Sequence, residues 1–197
     1  MRYPADQKAR ARDALLRAGT RSLKASGFNG VGVDGLAAAA GVTSGAFYSN
    51  FPNKTAMLEA VIDAGLGEPF VSETDSMTRA EGRAHMIAFL QEYISTDHSL
   101  DSAEGCVMPA LSADVSRAEP AVKNTYERKM TALIDRIAGL LDGEQSDRRR
   151  RAWSIVTLMV GSLVISRGMP EDSESRSAPL DSALNTAYKL IGADEQR

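Results

Sequence analysis

The sequence predicts an all-α protein of about nine helices in two parts, and three observations support this. Apolar residues recur at three- and four-residue intervals along almost the whole chain, and no alternating pattern persists long enough to mark a strand. Helix punctuation recurs as well. Gly27, Gly41 and Pro52 stand where apolar periods end, and Thr43 and Asn53 stand where they begin. The composition is 43% apolar and 25% charged over 197 residues, that of a globular chain able to bury a core without disulfide or metal staples.

The first helix, Asp6 to Ser26, sets Ala9, Leu15, Leu16, Ala18 and Leu23 against a side rich in Arg and Lys. Gly27 ends it and Phe28 anchors the following loop. Val33 to Ala40 forms a short second helix with Leu36, Ala37 and Ala40 inward, and Gly41-Val42 make a tight turn. Thr43 caps a third helix, Ser44 to Asn50, in which Phe47 and Phe51 are spaced i, i+4. Pro52 stops that helix, and Asn53 caps a fourth with the stripe Met57, Leu58, Val61 and Ile62. Gly67 to Thr78 turns to Gly, Pro, Ser and acid and reads as a joint, dividing a first domain, 1–66, from a second, 67–197. Helices are expected again at Arg79–Ser95, Met108–Ser116, Ala121–Leu141, Asp147–Ser166 and Pro179–Ile191. Gly168 to Pro179 reads as a mobile polar linker.

Charge is unevenly spread. Residues 1–54 hold eight Lys and Arg against three Asp, a charge of +5, which leaves −8 for the remainder of a chain whose total is −3. A basic head on an acidic body points to a polyanion met by the head alone, or to a solvated helix face. The longest apolar run, Trp153 to Ile165, is thirteen residues. That is short of the roughly 20 needed to cross a bilayer, so it reads as a buried helix and no membrane is expected. Cys106 is the only cysteine, so no intrachain disulfide is possible. With no apolar leader after Met1, this favours a reducing, cytoplasmic setting. No nucleophile elbow, phosphate loop or metal signature is present, so an enzyme is not expected. His85, His98, Glu104 and Cys106 lack compact ligand spacing, so neither a metal nor a cofactor is expected. Asp147 to Arg151, DRRRR, reads as a helix start paired with carboxylates.

The stretch Ala40 to Lys54, AGVTSGAFYSNFPNK, joins two short helices through a tight turn. Such a helix-turn-helix unit sets its second helix into the DNA major groove, about 12 Å wide. With Phe47 and Phe51 turned into the bundle, Thr43, Ser44, Gly45, Ala46, Tyr48, Ser49 and Asn50 face outward. Residues 8–58, with GFNGVGVDGLAAAAGVTSGAFYSNFPNKTAML within them, resemble the N-terminal domain of the TetR family of bacterial transcriptional regulators. The pattern lies in Gly27-Phe28, Leu36-Ala37, Ala40-Gly41-Val42, Gly45, Phe47-Tyr48, Phe51 and Lys54. The resemblance implies that Gly32 and Val33 open the second helix at the DNA and that Thr43 touches phosphate. It places Ser44, Gly45 and Ala46 near the bases, with Ser49 and Asn50 on the same face. It brings Tyr48 to phosphate or base and Lys54 to phosphate. Gly32 is a departure, because relatives carry Ser or Thr there. A side-chain phosphate contact is therefore missing, and Arg2, Lys8 and Arg10 are expected to compensate. The third helix has no Arg or Lys, so it lacks the commonest reader of guanine. Readout is expected to lean on Thr43, Ser44, Tyr48, the Ala46 methyl and DNA shape.

The same resemblance implies a homodimeric, ligand-responsive repressor of a palindromic double-stranded operator, released by a small and mostly apolar organic effector. It places the dimer interface on the last two helices, at Ile155, Leu158, Met159 and Ser162 with Leu180, Leu184, Ala187 and Ile191; completion of the monomer core is the alternative. The effector cavity is expected among Met86, Phe89, Leu90, Tyr93, Met108, Leu111, Tyr126 and Met130, where plain core is again the alternative. Two further readings stay open. One is an interaction protein of the same fold that has lost operator binding, suggested by Gly32. The other is a thiol redox sensor through Cys106, at a loop-to-helix junction, against an inert small apolar residue.

Overall fold

The computed structural model describes residues 5–101 and 103–192, so Arg2 lies outside the described residues. Helices make up its regular structure: α1 (Ala5–Ser26), α2 (Val33–Ala39), α3 (Ser44–Asn50), α4 (Lys54–Gly65), α5 (Glu68–Thr74), α6 (Arg79–Tyr93), α7 (Thr96–Leu100), α8 (Val107–Ser116), α9 (Pro120–Leu140), α10 (Gln145–Arg167) and α11 (Ala178–Ile191). The chain divides into two compact units, Met1–Leu66 with Ser102–Arg128 and Gly67–Asp101 with Lys129–Arg197. This groups α8 and the first part of α9 with α1–α4.

In the first unit, Leu15 and Leu23 of α1, Leu36 of α2, Phe47 of α3, Phe51, and Met57, Leu58, Val61 and Ile62 of α4 are all buried. Leu111 of α8 is buried in the same unit. Ion pairs and hydrogen bonds tie α8 and α9 to it. Phe28 N–H donates to Asp114 at 3.0 Å, and Thr125 donates to Glu59 at 2.9 Å.

The second unit contains two helices where none was expected. The composition of Gly67 to Thr78 suggests a joint, yet α5 forms there. Its Pro69 stands in the first turn, where a missing N–H costs nothing, and Phe70 is buried, its ring centroid 5.0 Å from that of Phe89. α7 is a five-residue helix capped by Ser95, whose Oγ accepts from the His98 N–H at 3.1 Å. The stretch expected as a mobile linker holds a 3-10 turn, Glu174–Arg176, and Arg176 is buried. α6 begins with a capping box. Thr78 and Glu81 bond each other's backbone N–H, and these bonds, the Thr78 side chain first, hold the Glu81 carboxyl below its ordinary range. Arg151, then Arg150, does the same to Asp147 near the start of α10.

α10 packs on α11, and this decides the fate of the apolar run. Ile155, Met159 and Ser162 on α10, and Leu180, Ala187 and Ile191 on α11, are buried within the chain. Leu158 and Leu184 keep partial exposure. The apolar arc that does face outward is a neighbouring one on α10. Trp153, Val164 and Ile165 are 42%, 48% and 55% exposed, with Thr157, Val160 and Gly161 between them. Among the described residues no helix is long and apolar enough to cross a membrane.

Close approach of α4 to α8 depends on Gly65, where an added Cβ would stand 2.9 Å from Val107 Cγ1. Val107 is buried and β-branched, so it has little room to turn aside. Gly65→Ala is expected to lower stability by about 1–3 kcal/mol, read as a fall in the urea midpoint at constant m-value.

Candidate nucleic-acid interface

α2 and α3 are too short to be stable alone, so their neighbours and end-groups hold them. Gly32 stands at the N-cap of α2 with no side chain to offer, and its carbonyl takes the Leu36 N–H at 3.0 Å. After α2 the chain turns at Gly41, whose φ of +68° is left-handed. Gly41 N–H bonds Ala38 O at 3.0 Å and Val42 N–H bonds Ala37 O at 3.0 Å, satisfying the last carbonyls of α2. Thr43 then caps α3, its Oγ1 accepting from Ala46 N–H at 3.2 Å.

Two aromatic rings orient α3. Phe47 and Phe51 are buried with ring centroids 5.8 Å apart. Tyr48 lies on the other side, 57% exposed, its ring edge-on to Phe47 at 5.5 Å. Arg12 of α1 fastens the far end. Its guanidinium lies 4.4 Å from the Phe51 ring centre and donates to Asn50 O at 2.9 Å. Asn53 caps α4 by accepting from Ala56 N–H at 2.8 Å.

The expected contact residues differ in what they present. Thr43, Gly45, Tyr48 and Ser49 are exposed; Ser44, Ala46 and Asn50 are half-buried. Gly32 is exposed and Val33 half-buried at the start of α2. The Ser49 hydroxyl donates back to Gly45 O at 2.9 Å. The Asn50 amide turns inward rather than outward. Nδ2 donates to Ala46 O at 2.8 Å, and Oδ1 is shut away from solvent without a partner. Lys54 Nζ donates to Phe28 O at 2.7 Å and Val31 O at 3.1 Å, and lies 4.2 Å from the centre of the Phe28 ring. Two of its three donors therefore hold the loop ahead of α2, leaving one for phosphate. Lys8 and Arg10 lie exposed on α1. Asp34, absent from the sequence-based set, accepts the Ser44 hydroxyl at 2.6 Å. No periodic signal links residues ten apart on different helices, so only the folded turn brings them together.

The residues expected around an effector belong to both units. In the first, Met108 and Leu111 are buried, and Tyr126 OH lies 2.9 Å from Ser112 Oγ. In the second, Met86, Leu90, Tyr93 and Met130 are buried, and the Phe89 ring lies between those of Phe70 and Tyr93, tilted to both. His85 lies 3.1 Å from Glu73, and His98 packs edge-on to Tyr93. An open groove along α1, lined by Ala14, Arg17, Arg21, Ala64 and Glu104 among others, contains none of the expected effector residues.

Residues 15–61 match the sequence model of the family described as bacterial regulatory proteins, tetR family. The N-terminal domain is a TetR-family domain. The whole chain has the TetR-regulator fold. A TetR-family transcriptional regulator from Cytophaga hutchinsonii superposes with a TM-score of 0.75 at 19% identity, covering 97% of this chain and 98% of that one. The reduced form of NemR from E. coli does so at 0.70 and 21%, covering 94% and 98%. The regulatory protein TetR from Rhodobacter sphaeroides gives 0.70 and 21%, covering 92% and 98%. No curated protein matches the sequence. In TetR-family terms, the Gly41 turn and the Lys54 tie set the geometry of the unit. A Cβ at Gly41 would meet nothing within 4 Å, so Gly41→Ala isolates the backbone term and should cost about 1–2 kcal/mol. Lys54→Met, which keeps the stem and removes the donors, should cost about 1.5–3 kcal/mol in chemical denaturation even without DNA.

Proposed function

We propose that the protein is a ligand-responsive transcriptional repressor that binds a palindromic operator as a homodimer. One observation carries the DNA-binding part: α3 buries Phe47 and Phe51 while holding Tyr48 and the short polar residues beside it towards solvent. That leaves an amphipathic ring and short polar side chains free to make contact on one side of the helix, and the groove of a duplex admits one helix of this size. Thr43, Tyr48 and the remaining Lys54 donor serve as phosphate contacts, while Ser44, Gly45 and Ala46 approach the bases. The basic surplus of residues 1–54 supplies attraction at long range.

Homodimerisation uses the exposed arc of α10 together with the half-exposed Leu158 and Leu184 of the expected set. Trp153, Val164 and Ile165 form an apolar surface on one side of that helix. At Gly161, between them, an added Cβ would meet nothing within 4 Å, leaving room for close helix approach. A second copy is the occupant because two reading helices, about 34 Å apart, are needed to read a palindrome. A small, mostly apolar effector, held among residues such as Met86, Leu90 and Met130 or Met108 and Leu111, would favour a spacing that no longer matches successive grooves.

A thiol-responsive variant of this reading rests on Cys106. Its Sγ accepts the Met108 N–H at 3.4 Å as the N-cap of α8, and Lys24 Nζ donates to the adjacent Gly105 O at 2.6 Å. This places the thiol at a helix N-terminus, a setting in which reactive cysteines occur. Loss of operator binding on mild peroxide treatment, abolished in Cys106→Ser, supports this variant; equal sensitivity of the two proteins excludes it.

Selection of bound duplexes from a random pool tests the main reading, and a palindromic consensus is the expected result. Tyr48→Ala should weaken binding to it at least tenfold, by about 1.4 kcal/mol or more. Val164→Arg should shift the protein towards monomer in sedimentation and weaken operator binding in parallel. Failure to enrich any sequence at low salt removes the operator-binding function.

A further inference from the structure

We infer that Asp34 and Ser44 form an acceptor-only reading pair that selects cytosine in each half-site, an inference that rests on the DNA-binding reading above. The two residues come from different helices and meet on the outer side of the helix-turn-helix, where Ser44 Oγ donates to Asp34 Oδ1 at 2.6 Å. Asp34 is exposed. A carboxylate carries no proton and a hydroxyl carries one, so this bond uses the only donor the pair has. The second carboxylate oxygen and the lone pairs of Ser44 Oγ are what a duplex would meet. Nothing cationic on α3 offsets them, because Ser44 to Asn50 contains no Lys or Arg. The hydroxyl of Ser49 and the amide of Asn50 donate to the helix's own carbonyls.

Acceptors of this kind need a base that donates. The major groove offers two such groups, the N4 amino of cytosine and the N6 amino of adenine. In an A·T pair the amino lies between adenine N7 and thymine O4, two acceptors that repel a carboxylate. In a G·C pair the cytosine amino has guanine O6 on one side only and a C5–H on the other. Cytosine is therefore the better partner, and the phosphate backbone is excluded by like charge. A purely structural role is the competing account. Asp34 lies in the first turn of α2, where a carboxylate suits the helix dipole, and it also steadies Ser44. That account affects every DNA sequence equally, whereas the reading pair affects one base position.

The experiment is selection from a random duplex pool with the full-length protein, as wild type, Asp34→Ala, Asp34→Asn and Ser44→Ala, with a thermal melt of each. Wild type should select a cytosine at one fixed position per half-site, and replacing that base should weaken binding roughly 5- to 150-fold. Asp34→Ala should remove that preference and leave the other positions unchanged. Asp34→Asn, nearly the same shape, should move it towards adenine, whose N6 and N7 match a carboxamide. If Asp34→Ala is too unstable to assay, the adenine shift in Asp34→Asn decides. A consensus unchanged in both Asp34 variants, with affinity lowered evenly across sequences, overturns the inference and leaves DNA binding intact. A wild type that enriches no duplex overturns both.

Discussion

Burial of Phe47 and Phe51 is the constraint on which the reading helix depends. A seven-residue helix does not persist alone in water, because nucleation is unfavourable and too few bonds follow it. Two phenyl rings removed from water contribute about 1.5–3 kcal/mol each, more than the Thr43 cap, at about 1 kcal/mol, adds. The same burial sets orientation. With rings one helical turn apart committed to the core, the opposite side of α3 must face outward, and Tyr48 goes with it. The outward surface is thus a geometric consequence of what the inner surface buries.

Polar ties then convert an oriented helix into a rigid unit. Arg12 lies against the Phe51 ring and bonds the last carbonyl region of α3, and Lys54 gathers two carbonyls of the loop ahead of α2. Both are cations of the basic head, and both do much of their bonding inside the fold. Counting formal charge therefore overstates what the head can offer a polyanion. The Asp34–Ser44 bond works in the other direction, placing negative charge on the outer side of a segment whose own sequence looks neutral.

The second unit shows how one apolar helix serves several surfaces. α10 buries Ile155, Met159 and Ser162 within the chain and still leaves Trp153, Val164 and Ile165 outside. A helix apolar on nearly every side needs cover on more than one of them. Its own chain provides one layer, through α11 among others. Nearby, Arg176 is drawn into the interior from a stretch whose composition suggests only solvent exposure.

The all-α class, the long helices, the caps at Thr43 and Asn53 and the inward turn of Phe47 and Phe51 were legible in the sequence. Each follows from local rules, namely helical periodicity, capping chemistry and the i, i+4 spacing, which act over one or two turns. α5 was not legible, because Gly67 and Pro69 signal a break to any local reading while a buried Phe70 holds the helix in place. Which side of α10 stays exposed, the inward amide of Asn50, the double bond from Lys54 and the meeting of Asp34 with Ser44 were decided by tertiary structure alone. All of these depend on groups far apart in sequence, or on other helices, competing for the same space and the same donors, and no periodicity within one segment records the outcome.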